Sequence, residues 1–195
     1  MKFILASKSP RRSEILKKFG YDFLVRTSDF TETGNNCSPI DTVVGFAKGK
    51  ALSVFDKLTS YEKQRFPVIG ADTVVYFDGK ILGKPKDKED AKKTLLDLSG
   101  RKHSVYTGYA VMTEDFLKFG YDETEVIFNH LSKKLIEEYV ATGSPMDKAG
   151  SYGIQDEFDL VKEINGSLYN VIGFPIEKIS PILEEIKKTS HKGKK

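Results

Sequence analysis

Apolar positions along the chain recur with two periods, near two and near 3.6 residues, and their interleaving predicts strands alternating with helices. Lys2 to Ala6 is a short apolar run suited to a buried strand. Ser9 then predicts a helix cap with Pro10 at the first helical position, where a missing N–H costs nothing. That helix carries Ile15, Leu16 and Phe19 on one side and stops at Gly20, and Asp22 to Arg26 reads as the next strand. Pro39 to Leu58 is a long amphipathic helix, with Val43, Val44, Ala47, Ala51, Val54, Phe55 and Leu58 at helical spacing. Pro67 to Tyr76 is a strand, and Asp78-Gly79 predicts a tight hairpin before Ile81-Leu82. A helix from Asp87 to Leu98 closes at Gly100. Strand-like stretches follow at Lys102 to Met112, Phe116 to Tyr121 and Thr124 to Phe128, an antiparallel addition to a mixed sheet. Ser132 caps a helix to Thr142, Asn165-Gly166 suggests another hairpin, and Pro175 opens a last helix through about Lys188.

The pattern is that of an α/β protein with a mixed twisted sheet flanked by helices. A length of 195 residues fits residues 1–188 as a single domain, followed by a basic tail at 189–195 expected to be disordered. The net charge of +3 invites a nucleic-acid reading, but the last nine residues hold five lysines and no acid. Without them the rest of the chain stands at −2 (3 − 5), so stable nucleic-acid binding is not expected. No stretch reaches the ~18 apolar residues of a membrane span. The lone Cys37 cannot form an internal disulfide, which suits a reducing compartment, and the cytoplasm is the expected location.

Chemistry gathers at a few places. Ser7-Lys8-Ser9-Pro10-Arg11-Arg12 runs from a strand into a helix N-terminus, where free N–H groups and the positive dipole end favour an anion. Two arginines in a first turn oppose the dipole; an anionic ligand would offset this, while two side chains in solvent are the plain alternative. In Val68-Ile69-Gly70-Ala71-Asp72-Thr73-Val74-Val75 an acid interrupts an apolar strand beside small residues that would let a ligand approach the backbone. A buried carboxylate is costly unless paired, metal-bound or functional; a bulge where Asp72 bonds nearby N–H groups is the alternative. Lys84 in Leu82-Gly83-Lys84-Pro85, and the lysines of Ala47-Lys48-Gly49-Lys50-Ala51, matter only beside other sites. Gln155, in Asp147-Lys148-Ala149-Gly150-Ser151-Tyr152-Gly153-Ile154-Gln155, carries an amide able to read a base edge; a loop packed by Tyr152 and Ile154 is the plain alternative. There is no G-x-x-x-x-G-K-[ST] loop, no G-x-G-x-x-G fingerprint and no G-x-S-x-G elbow. His103, His130 and His191 lack zinc spacing, and His103 and His130 are expected at the surface or behind a site.

Taken together these segments resemble the Maf family, relatives of septum-formation proteins that act as nucleoside triphosphate pyrophosphatases. The ordered set runs from Leu5-Ala6-Ser7-x-Ser9-Pro10-Arg11-Arg12 through Ala47-x-x-Lys50-Ala51, Gly70-Ala71-Asp72-Thr73-Val74-Val75 and Gly83-Lys84-Pro85. It continues through Leu98-Ser99-Gly100-Arg101-x-His103-x-Val105-x-Thr107-Gly108, Asp147-Lys148-Ala149-Gly150-x-Tyr152-Gly153-Ile154-Gln155 and Ile164-Asn165-Gly166-Ser167 to Asn170-Val171-x-Gly173-x-Pro175. The resemblance implies two lobes around a deep cleft, as in inosine-triphosphate pyrophosphatases, and cleavage between the α- and β-phosphates with a divalent cation, Mg2+ or Mn2+. It implies that Asp72 is the general base with Thr73 beside it, and that Arg11 and Gln155 help select the nucleotide. Ser7, Arg12, Lys50 and Lys84 would hold phosphates, and Glu32 would join Asp72 at the metal. The Tyr-Gly-Ile-Gln form resembles the branch acting on dTTP and UTP, including modified uridine nucleotides; a homodimer is the family expectation. The competing readings are a purine or inosine nucleotide pyrophosphatase and a non-catalytic nucleotide-binding regulator of cell division. Three places depart from the family pattern: Ser144 stands where glutamate is frequent, Asn129 where a basic residue is, and Asp156-Glu157-Phe158-Asp159 replaces a glycine-rich segment.

Overall fold

A computed structural model describes residues 1–33 and 38–192, so Cys37 and the last three residues of the basic tail lie outside the described residues. Strand β1 (Lys2–Leu5) enters helix α1 (Pro10–Lys18), which returns the chain to β2 (Asp22–Val25), paired parallel to β1. Helices α2 (Pro39–Phe55) and α3 (Ser60–Lys63) lead to β3 (Val68–Phe77), also parallel to β1. The long helix expected to reach Leu58 thus ends at Phe55. Thr59 then caps the separate α3, its hydroxyl accepting from the Glu62 N–H while Glu62 bonds back to the Thr59 N–H. Asp78 (φ 51°) and Gly79 (φ 77°) turn β3 into β4 (Lys80–Leu82), both in the left-handed region that a two-residue hairpin needs.

Helix α4 (Lys88–Leu98), capped by the Asp87 carboxylate on the Asp90 N–H, precedes β5 (Lys102–Met112) and β6 (Leu117–Phe128). Helix α5 (Lys133–Ala141), two 3-10 turns (Ser144–Asp147 and Ala149–Ser151), β7 (Val161–Asn165), α6 (Leu168–Ile172) and α7 (Ile176–Lys192) complete the order. Among the described residues the seven strands form one mixed sheet in the order β2-β1-β3-β5-β6-β7, with β4 on β3. No helix among them is long and apolar enough to cross a membrane.

Two expectations are corrected. The stretches at 116–121 and 124–128 are one strand: β7 pairs only with Glu125 to Phe128, and charge at Asp122 and Glu123 is tolerated on the length of β6 that β7 leaves uncovered. Asn165-Gly166 is not a hairpin. Gly166 (φ 141°) sits where a Cβ would meet Thr124 Oγ1 at 2.7 Å, and the chain passes into α6, where Ser167 Oγ accepts from the Asn170 N–H.

By its Cα framework the chain divides into two compact units: one of Met1–Asp72, Thr107–Asp122 and Gly173–Lys195, the other of Thr73–Tyr106 and Glu123–Ile172. The first is centred on α2 over β1 and β3, with Ile4, Ala47, Ala51, Val54, Phe55 and Val68 in one apolar cluster. The second packs α4 and α5 with Val75, Val105, Val126 and Phe128. Burying side chains of this size contributes about 1.5–3 kcal/mol each.

Candidate active site

Asp72 is 7% exposed, on a mostly apolar strand. Its carboxylate does not bond to strand N–H groups as a bulge would require; Oδ1 lies 2.6 Å from Lys50 Nζ. The helix that supplies Lys50 is brought in by glycine. A Cβ on Gly70 would stand 2.2 Å from the Ala47 carbonyl oxygen, and one on Gly108 would stand 2.3 Å from that of Val43. Hydrogen in place of a side chain at both positions lets α2 lie directly on the backbone of β3 and β5. Gly70, beside Asp72, thus admits a helix.

Lys50 Nζ is shared. Glu32 Oε1 also lies 2.6 Å away, from an exposed segment fastened along the same helix. Asp29 accepts from Ser53 Oγ at 2.5 Å and from Lys57 Nζ, while the Phe30 ring occupies the space a Cβ on Gly49 would fill. Two carboxylates therefore converge on one ammonium. Burial holds the Asp72 carboxyl above its ordinary value of 3.8, with Lys50 and then Arg12 pulling it back and Glu32 adding to the rise. A partly desolvated carboxylate with raised basicity next to a cation is suited to taking a proton from a nearby water.

The strand-to-helix segment 7–12 meets the same region. Ser9 stands at the N-cap of α1, yet its side chain caps nothing; Ser7 Oγ accepts from the Ser9 N–H at 3.2 Å. Arg12 does not extend into solvent. Its Nη1 donates to Ser7 Oγ at 3.0 Å and to the Ala71 carbonyl at 2.8 Å, and its Nε to the Gly173 carbonyl at 2.9 Å. Carbonyl acceptors thereby offset the conflict between a cation and the dipole of a first turn. Ser7 Oγ, accepting twice, keeps its proton to donate. Arg11 is half-buried on the adjacent face.

The structure therefore brings together Ser7, Arg12, Glu32, Lys50 and Asp72 in the first unit. Thr73, half-buried, follows Asp72 on β3, whereas Lys84 and Gln155 are exposed residues of the second unit. There the Gly150 N–H bonds to the Gly83 carbonyl at 3.0 Å, tying the turn before Lys84 to the segment that leads to Gln155.

The region behind Gln155 carries residues that pattern reading missed. Tyr139, wholly buried on α5, meets Asp156 and Ser144, both of which meet Lys148, and burial followed by the Asp156 hydrogen bond pushes its phenol well up. The departures from the family pattern pair off: Ser144 Oγ donates to Asp156 Oδ2 at 2.8 Å, and Asn129 Nδ2 to Asp159 Oδ1 at 3.0 Å. Nothing in residue spacing marks such partners. His130 is exposed as expected, but His103 is not at the surface. It is 4% exposed, its Nε2 is 2.8 Å from Tyr152 OH, and burial lowers its pKa to about 4.

The family model for Maf-like proteins matches residues 2–186. The chain is 44% identical over 193 residues to the dTTP/UTP pyrophosphatase of Clostridium tetani, covering 95% of this chain and 98% of that protein. It is 46% identical over 190 residues to the dTTP/UTP pyrophosphatase of Clostridium botulinum (strain Kyoto), covering 94% and 96%. It is 46% identical over 180 residues to that of Bacillus cytotoxicus, covering 91% and 92%.

Proposed function

The chain belongs to the Maf-like protein family, and on that premise we propose that it is a nucleoside triphosphate pyrophosphatase hydrolysing dTTP and UTP. Water attacks the α-phosphorus, the bond to the bridging oxygen of the β-phosphate breaks, and the products are the nucleoside monophosphate and pyrophosphate. One observation carries the residue assignment: a buried carboxylate, Asp72, held by the Lys50 ammonium that it shares with Glu32, beside the anchored Arg12. Asp72 takes the proton of the attacking water, and its raised pKa makes it a stronger base than an exposed aspartate. Ser7, Arg12 and Lys50 contribute a donor and two positive charges toward phosphate oxygens, and Arg11 helps to select the nucleotide. In the second unit Lys84 is assigned to phosphate and Gln155 to the base edge, with modified uridine nucleotides as further substrates.

A divalent cation, Mg2+ or Mn2+, fits the donor chemistry of Asp72 and Glu32, since hard ions of this kind are held by one or two carboxylates plus substrate phosphates. That both carboxylates reach a single ammonium supports the fit. Among the described residues no group of three or more His, Cys, Asp and Glu gathers into an all-protein cage. When bound, the ion supplies charge neutralisation to the triphosphate.

The test is pyrophosphate release from dTTP, UTP and dITP by wild type and Asp72→Asn with Mg2+ or Mn2+. The expected result is preference for dTTP and UTP, and a loss of ~10²–10⁴-fold in turnover for the variant with its thermal midpoint retained. An unchanged turnover number removes Asp72 from its role; faster cleavage of dITP moves the substrate class to purines.

A further inference from the structure

Residues Gly153 to Asp156 form a turn, with the Asp156 N–H bonded to the Gly153 carbonyl at 3.1 Å and Ile154 and Gln155 at its centre. Both ends of the turn are held by one phenol. Tyr139 OH donates to Asp156 Oδ2 at 2.5 Å and accepts from the Gly153 N–H at 2.9 Å. Asp156 Oδ2 also accepts from Ser144 Oγ at 2.8 Å and lies 3.7 Å from Lys148 Nζ. That ammonium in turn donates to the carbonyl and hydroxyl oxygens of Ser144 at 2.6 and 2.9 Å. The fit is tight: a Cβ on Gly153 would stand 2.6 Å from Lys148 Cε and 2.7 Å from Asp156 Oδ2. Tyr139 itself is fixed by complete burial and by the Phe158 ring, 4.8 Å away between centroids.

We propose that Tyr139, Asp156 and Lys148 are positioning residues that clamp the Gly153–Asp156 turn and so set the discrimination that Gln155 makes between pyrimidine bases. The inference rests on the reading of Gln155 as the base contact. Uracil and thymine offer a carbonyl acceptor and an N–H donor side by side, whereas cytosine offers an amino donor and a ring-nitrogen acceptor. A glutamine amide carries one donor and one acceptor and can turn either way about χ3 without moving its backbone, so the hold on that backbone sets the reach and angle at which the amide meets each edge, and with them the preference. The clamp supplies that hold through the buried Tyr139 on α5 and the half-buried Ser144, Lys148 and Asp156, none of which needs to touch the nucleotide.

The experiment measures kcat and KM for UTP and CTP in wild type, Gln155→Ala, Tyr139→Phe and Asp156→Asn. Tyr139→Phe keeps the ring and its packing and removes the hydroxyl that holds both ends. Asp156→Asn is the milder change, keeping an acceptor oxygen and losing the charge that faces Lys148. The UTP-over-CTP ratio of kcat/KM is expected to fall in Gln155→Ala, and to fall about three- to tenfold in Tyr139→Phe, the equivalent of one hydrogen bond. That loss is carried by KM for UTP, a split that general destabilisation does not produce. If Gln155→Ala lowers the ratio while Tyr139→Phe and Asp156→Asn both leave it at the wild-type value, the clamp is overturned and the base contact stands. If wild type shows no preference, or Gln155→Ala leaves the ratio unchanged, the base contact falls and the clamp's role with it.

Discussion

Lowering the pH from 7 to 5 removes stability through one buried histidine. His103 is enclosed by Phe128 and Tyr152, whose ring centroids lie 5.0 and 5.4 Å away, and its Nδ1 is buried with no hydrogen-bond partner among the described residues. A proton added there would be desolvated and unpaired, and burial accordingly lowers the pKa from 6.5 to about 4. The folded protein therefore binds this proton more weakly than the unfolded chain does. The stabilisation is fully present above pH 6.5 and is lost as pH falls from there to about 4. At 1.36 kcal/mol per pKa unit the full loss is about 3 kcal/mol, of which about 2 kcal/mol falls between pH 7 and pH 5. Carboxylates titrate in the same range, so the informative quantity is a difference between two proteins. Urea unfolding followed by far-UV circular dichroism at both pH values, for wild type and His103→Gln, supplies it; the chain has no tryptophan to report the transition. The variant is expected to be less stable at pH 7, yet to lose about 2 kcal/mol less than wild type on going to pH 5. Equal losses in the two proteins would refute the argument that His103 is held neutral by its surroundings.

Two further outcomes follow from the first unit. Gly70→Val places a side chain 2.2 Å from the Ala47 carbonyl and should cost about 3 kcal/mol, at the upper end of overpacking, or displace α2; a thermal melt within a degree of wild type would contradict the contact. Lys50→Met leaves Asp72 and Glu32 without their shared cation, so the Asp72 pKa rises further. The acid limb of kcat/KM against pH should then move to higher pH, and a limb that stays in place would detach it from Asp72.

The sequence is informative wherever the physics is local. Proline after Ser9 marks the start of α1, the period of 3.6 marks α2, and Asp78-Gly79 marks its turn because only a few residues accept positive φ at both positions. The acid within the apolar strand stands out because its burial demands a partner. Which partner it has is not legible, since Lys50 lies 22 residues away and looks like any solvated helix lysine until α2 is laid on β3. Arg12 is the same case over a longer distance, with one of its acceptors 161 residues along the chain. Tyr139 reads simply as a core aromatic on an amphipathic helix: periodicity reports which face is buried, not what the hydroxyl meets there. The unbroken β6 is concealed for a related reason, because acidic residues are a signal of exposure and β6 is half-buried at Asp122 and exposed at Glu123 without leaving the sheet.

The two glycines under α2 determine how the site responds to sequence change. Where a helix stands off a sheet on interlocking side chains, each core substitution alters the standoff, and everything the helix carries shifts with it. At Gly70 and Gly108 the spacing is set by main chain against main chain, which no substitution in the surrounding apolar cluster can thicken or thin. The distance from Lys50 to Asp72 is therefore insulated from drift among Val54, Phe55, Leu58 and their neighbours. Tolerance in that core and fidelity at the carboxylate are separable properties, and the separation depends on two hydrogen atoms.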